Sequence, residues 1–214
     1  MGFELEMKRR GLFITFEGME GSGKSTQIKR AASFLKSRGF QVSLLREPGG
    51  TRISESIRNI ILNQRFREMT PETELLLYLA ARAQLVREVI LPALKRGRMV
   101  ICDRFEDSTL AYQGFARRLS LRAIDEINRS VVRGSLKPDL TILLDVRMRE
   151  GIRRAGRDDR IEREPLSFHE RVRRGFLTIA RKNRKRYVII DGHLSRAEIA
   201  RQVRETLHQF LRKG

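Results

Sequence analysis

Five short apolar runs punctuate the chain: Leu12–Phe16, Val42–Leu45, Met99–Cys102, Leu140–Val146 and Tyr187–Ile190. They are rich in β-branched and large aliphatic residues and do not alternate cleanly with polar ones. That pattern belongs to strands buried on both faces, as in a parallel sheet. Longer segments with helical spacing lie between them. Lys24–Arg38 ends at Gly39, a residue suited to the left-handed turn that closes a helix. Thr70–Arg96 places Leu75, Leu76, Leu79, Leu85, Val86 and Val89 on one face, with Gly97 after it. Leu119–Arg133 ends at Gly134, and Ser195–Leu211 carries Glu198 three residues after Ser195, which predicts a capping box. Strands alternating with helices define an α/β domain with a parallel sheet. With no linker, repeat or low-complexity segment, the 214 residues predict one domain spanning 1–214.

Composition narrows the class. Hydrophobic residues make up 40%, as in a globular enzyme. No apolar run approaches the roughly 20 residues of a membrane span. The first ten residues, MGFELEMKRR, lack the apolar stretch of a secretory signal. The single cysteine, Cys102, excludes an intrachain disulfide and fits a buried strand position. These features predict a cytoplasmic protein. The charge is unusual: 45 Lys and Arg against 26 Asp and Glu give +19, and more than half of the excess falls from Arg147 onward. A basic face can bind nucleic acid or nucleotide phosphates. No basic motif interleaved with aromatics, as RNA or single strands would need, is present.

Candidate chemistry begins right after the first run. Gly18-Met19-Glu20-Gly21-Ser22-Gly23-Lys24-Ser25 matches GxxxxGK[ST], between a predicted strand and a predicted helix. Glycines let backbone N–H groups turn toward phosphates, and the helix N-terminus favours an anion there. Lys24 would neutralise the β- and γ-phosphates of a nucleoside triphosphate, and the Ser25 hydroxyl would hold Mg²⁺. Thr26 completes the nucleotide-binding set. The motif says little about a second substrate.

Three further motifs follow strand ends, where open α/β sheets bind ligands. Arg46-Glu47-Pro48-Gly49-Gly50-Thr51 follows the second run. Arg46 could fork onto a phosphate monoester, although a Pro-Gly-Gly turn with a solvated Arg reads equally well. Asp103-Arg104-Phe105 follows the third run. Asp103 could hold the metal through water, and Arg104 could bridge donor and acceptor phosphates. In Ser108-Thr109-Leu110-Ala111-Tyr112-Gln113-Gly114, Gln113 and the hydroxyls could read a base edge and Tyr112 could wall a sugar. Taken alone, that segment is an ordinary helix end with a Gly cap.

The ordered set FEGMEGSGKST, REPGGT, LAARAQ, DRF…ST.AYQG, PDLTILLDV and DDRIE resembles bacterial thymidylate kinases, from about Leu12 to the last helix. The resemblance implies a P-loop NTPase-type three-layer sandwich with a five-stranded parallel sheet, flanking helices and a small lid at about 151–164. It implies transfer of the γ-phosphate of ATP to dTMP with Mg²⁺, in a homodimer whose contact is the long apolar helix. By this resemblance Arg46 binds the dTMP phosphate, and Asp103 and Arg104 form the pair at the reaction centre. Glu20 meets the sugar 3′-hydroxyl, and Tyr78 stacks on thymine where the family usually has Phe. Arg82 bonds a thymine carbonyl, Ser108 and Gln113 contact the base, and Tyr112 crowds the 2′ position. Without the family, Tyr78 reads as a core aromatic and Arg82 as a solvated helix residue.

Arg153-Arg154-Ala155-Gly156-Arg157-Asp158-Asp159-Arg160 is a dense charged stretch, which is usually a solvated face. Family members with Gly at the position of Gly21 supply a catalytic arginine from the lid. Arg157 is the first candidate, with Arg160 and Arg154 behind it. The rival readings are another nucleoside monophosphate kinase on this scaffold, a nucleic-acid-stimulated P-loop ATPase motivated by the charge, and an inactive nucleotide-binding module.

Overall fold

A computed structural model describes residues 11–131, 136–147, 150–151 and 159–213. All five predicted strands form: β1 Phe13–Glu17, β2 Val42–Arg46, β3 Met99–Asp103, β4 Leu140–Asp145 and β5 Tyr187–Asp191. They make one parallel sheet in the order β2-β3-β1-β4-β5. The central strands are buried on both faces, which is why their sequences do not alternate. The edge strands β2 and β5 mix buried with exposed positions.

Helices cover both faces. α1 (Lys24–Ser37) follows β1, α2 (Arg52–Leu62) follows β2, and α3 (Pro71–Leu85) leads toward β3. A π-helical turn at Val86–Ile90 joins α3 to the short α4 (Leu91–Lys95). The predicted Thr70–Arg96 helix is therefore broken in hydrogen-bond pattern, next to Pro92, which has no N–H to donate. α5 (Glu106–Thr109) continues into a π-helical segment, Leu110–Ala116, and α6 is Leu121–Val131. The end predicted for that helix, at Gly134, lies outside the described residues. α7 (Leu166–Lys182) and α8 (Arg196–Lys213) complete the chain. The capping box at α8 forms as expected: Ser195 N–H donates to Glu198 (2.9 Å) and Glu198 N–H to Ser195 Oγ (3.2 Å).

One apolar layer packs Ile28, Leu35, Val203 and Leu207 of α1 and α8 against Ile14, Phe16 and Ile142. On the other side Phe168, Val172 and Phe176 of α7 meet Tyr112, Leu143 and Val146. Truncating any of these aromatics to alanine would cost about 3–5 kcal/mol. α2 and α7 are not among the helices expected from sequence. Gly114, expected as a helix cap, sits inside the π-helical segment. A Cβ there would come within 2.4 Å of Leu121 Cδ2, so close packing rather than a helix end calls for glycine.

Candidate active site

The carboxyl ends of β1, β2 and β3 open onto a cleft of about 720 Å³. Glu20 to Gln27, Arg46, Glu47, Tyr78, Asp103 and Arg104 line it, together with Gly192, Leu194 and Arg196 of the β5–α8 connection. Beside it lies a pit of about 30 Å³ walled by Tyr78, Arg82, Phe105, Ser108, Thr109, Tyr112 and Gln113, sharing Glu20, Glu47, Tyr78 and Arg104 with the cleft. Every site residue expected from sequence within the described region, apart from Gly18, Met19 and the lid candidate Arg160, lines one of these two spaces.

Gly18 and Met19 lie in the loop below. Gly18 has φ 135°, and a Cβ on it would strike Leu144 O at 2.5 Å. Gly23, at φ 89°, opens α1 with no side chain capping its first amides, which leaves them available to an anion. Lys24 folds back on the loop and donates to Gly18 O (3.0 Å) and Met19 O (2.9 Å). Burial, helped by Arg104, pulls the Lys24 pKa down to about 8. Ser25 and Thr26 are exposed at the start of α1.

Asp103 ends β3, and its Oδ1 is buried with no hydrogen-bond partner among the described residues. Such an oxygen suits a metal-bound water, since a buried carboxylate oxygen left bare is costly. Arg104 has φ 70°, a left-handed conformation that costs a non-glycine residue about 1–2 kcal/mol. Its Nη1 donates to Ser108 Oγ (3.2 Å), its Nη2 donates to Glu20 (2.8 Å), and its guanidinium lies 5.2 Å from the Tyr112 ring centre. The Tyr112 hydroxyl also donates to Glu20 (2.6 Å). Burial acts to raise the Glu20 pKa, but Arg104, Lys24 and Tyr112 together hold it below the ordinary carboxylate value.

Arg46 is half exposed and pairs with Glu55 of α2 (2.8 Å). Arg58, which sequence reasoning did not single out, also lines the cleft and donates to Pro48 O (2.9 Å). Burial, with Arg46 nearby, lowers its pKa. Arg82 is only 1% exposed, so it is not a solvated helix residue. It donates to Glu47 (2.8 Å), Asn128 (3.2 Å) and Thr109 (2.9 Å), and stacks 5.1 Å from the Phe105 ring centre. Tyr78 stands across the same pit, with burial and then Glu74 raising its hydroxyl pKa.

Glu74, wholly buried, gathers Gln113 (2.8 Å), Arg117 (3.0 Å) and Arg160 (2.6 Å) around one carboxylate. Arg160 also donates to Ile61 O (2.9 Å), so this second-choice lid arginine is committed to the protein interior. Arg157, the first choice, and Arg154 lie outside the described residues. Further along, Arg173 pairs with Asp145 and Arg186 with Asp107, so part of the basic last third serves internal ion pairs. Glu74 escaped the sequence reading because its partners Gln113, Arg117 and Arg160 lie far away in the chain. The cleft-lining residues Gly192, Leu194 and Arg196 could have been found from their place after a strand end.

A phosphate loop on a β2-β3-β1-β4-β5 sheet, an acidic strand end and several arginines facing one cleft define a P-loop phosphotransferase. The thymidylate kinase family model matches residues 16–203. A thymidylate kinase from Geobacter sulfurreducens is 53% identical over 192 residues, 86% of this chain and 90% of that protein. Another from Pelotomaculum thermopropionicum is 48% identical over 214 residues, 95% of this chain and 97% of that protein. The crystal structure of thymidylate kinase from Ehrlichia chaffeensis superposes with a TM-score of 0.76 at 35% identity, covering 93% of this chain and 99% of that one. The chain belongs to the thymidylate kinase family.

Proposed function

We infer that the protein transfers the γ-phosphate of ATP to dTMP, giving ADP and dTDP. The observation that carries this reading is one continuous cleft lined by P-loop residues Glu20 to Thr26 together with Arg46, Asp103 and Arg104, with the small pit beside it. ATP lies along Gly18–Thr26 with its adenine toward Gly192 and Leu194. The acceptor base enters the pit between Tyr78, Arg82 and Gln113, and its sugar meets Glu20 and Tyr112. Arg46 takes the acceptor phosphate, and Arg104 spans donor and acceptor.

The acceptor phosphate needs no strong base, because its second pKa lies near ~6 and it is largely dianionic at neutral pH. Catalysis is then positioning and charge neutralisation. Ser25 and Asp103 fit Mg²⁺, which when bound supplies positive charge to the triphosphate. Lys24 leaves the Gly18 and Met19 carbonyls for the phosphates, and phosphate charge holds its proton. A lid arginine, Arg157, joins the equatorial oxygens on closure.

The expected test is direct. With Mg·ATP and dTMP, chromatography should resolve dTDP, and Lys24→Ala should lower turnover by at least about a hundredfold. Full turnover without Lys24 would sink the assignment. The nucleic-acid-stimulated ATPase reading is not favoured by family membership.

The chain would act as a homodimer in the cytoplasm. Among the described residues no helix is long and apolar enough to cross a membrane. Leu76 on α3 is 57% exposed, with Ile53 and Ile60 exposed on neighbouring α2, which supports pairing through this face. Sedimentation at the monomer mass would count against it.

A further inference from the structure

We propose that Glu17 is a positioning residue for phosphoryl transfer, acting through Ser108 to fix the guanidinium of Arg104. The proposal rests on the reading above, in which Arg104 spans donor and acceptor phosphates.

Glu17 is the last residue of β1 and is wholly buried. It reaches the turn after β3 in two places. One carboxylate oxygen accepts the Phe105 N–H at 2.8 Å, and the other lies 2.6 Å from Ser108 Oγ. Ser108 Oγ in turn accepts from Arg104 Nη1 at 3.2 Å. Glu17 thus holds the backbone next to Arg104 and, one bond removed, its side chain. Strained backbone persists only where its surroundings over-determine it, and Arg104 sits at φ 70°. The Phe105 N–H bond pins the peptide that follows this strained residue.

The guanidinium is gripped at both ends. Ser108 takes Nη1, while Glu20 takes Nη2 at 2.8 Å. Glu20 also carries the Tyr112 hydroxyl and faces the sugar, so its hold on Arg104 is shared with substrate. The Glu17–Ser108 side is independent of substrate. The Ser108 hydroxyl puts a proton in the 2.6 Å contact when Glu17 is ionised, and burial, then Asp107, pushes the Glu17 pKa up to about 8, so that the neutral carboxyl can supply one instead. With that proton on either oxygen, Ser108 Oγ still accepts from Arg104. This places Ser108 in the phosphate-handling machinery, where the family resemblance alone would make it a reader of the base.

The two roles separate in steady-state kinetics with Mg·ATP and either dTMP or dUMP. Ser108→Ala should lower kcat by about tenfold to a hundredfold, because a small misplacement of a transferring group costs that much. The KM for dTMP, the dTMP:dUMP preference and the melting temperature should stay close to wild type. Ser108→Thr, which keeps the hydroxyl, should recover most of kcat. Glu17→Ala, which removes both carboxyl contacts, should reproduce the kcat loss. If it fails to fold, the Ser108 pair still decides the matter, since it removes or restores one hydroxyl. A Ser108→Ala enzyme with wild-type kcat, or one changed mainly in KM or base preference, overturns the proposal. A wild type that phosphorylates no nucleoside monophosphate would instead overturn the phosphotransferase reading beneath it.

Discussion

Replacing Arg46 with alanine should separate substrate binding from stability. Arg46 ends β2 with its side chain 50% exposed, and it pairs with the Glu55 carboxylate at 2.8 Å. Removing it leaves Glu55 accepting the Gly50 N–H at 2.7 Å, so no buried charge is stranded. An exposed pair of this kind is worth about 0–1 kcal/mol, which in a domain of this size moves Tm by no more than about 4 °C. Arg58 even gains, since Arg46 is among the causes that lower its pKa. The effect on the acceptor should be far larger. Charge-assisted hydrogen bonds contribute about 1.5–3 kcal/mol, and at about 1.4 kcal/mol per tenfold this predicts a rise in the KM for dTMP of about 10- to 150-fold. The KM for ATP should change little, because the P-loop lies elsewhere in the cleft. Coupled ADP-release assays, titrating dTMP at saturating ATP and then ATP at saturating dTMP, read the two constants. An unchanged KM for dTMP with normal folding would refute the placement of the acceptor phosphate.

Other outcomes follow from the same geometry. Arg160→Ala should act on stability, because it strips one partner from a wholly buried carboxylate; with Arg117 and Gln113 remaining on Glu74, the loss should be about 3 kcal/mol, or about 6–12 °C in Tm by calorimetry. Arg157→Ala should leave Tm unchanged and lower kcat by about a thousandfold if it is the lid arginine, as single-turnover kinetics would read. Glu17, raised from 4.5 to about 8, binds its proton more tightly in the folded state than in the unfolded one. Its contribution to stability is therefore full below about pH 4.5 and is lost as pH rises through about 8. Glu17→Gln should flatten that part of the stability–pH curve in chemical denaturation, and an unaltered slope would contradict the assignment.

The sequence made the sheet legible because each strand is short, apolar on both faces and bounded by polar segments. The phosphate loop was legible for a different reason: its glycines answer local backbone demands, such as the 2.5 Å approach of Leu144 O to a Cβ at Gly18. The α2 and α7 helices carried usable signals that went unread. Ile53, Ile57, Ile60 and Ile61 follow Thr51, whose hydroxyl accepts from Ser54 N–H. Phe168, Val172, Phe176 and Ile179 repeat at helical spacing under a mask of arginines. Two features were beyond pattern reading. The π-helical segment Leu110–Ala116 depends on packing against α7 and α6, not on local preference. The Arg82–Glu47 and Glu74–Arg160 pairs join residues 35 and 86 positions apart, and periodicity cannot see such partners. Arg82 shows the cost: its helical position suggested solvent, while its long-range partners bury it.

Acceptor preference tests the central claim most directly. The protein would be given Mg·ATP with dTMP, dUMP, UMP, CMP, AMP or GMP in separate coupled ADP-release assays. Turnover strongly favouring dTMP is the predicted result, with the pit of Tyr78, Arg82 and Gln113 as the base-reading site. Turnover absent or indifferent to the base, with ATP hydrolysis rising on added nucleic acid, would contradict it.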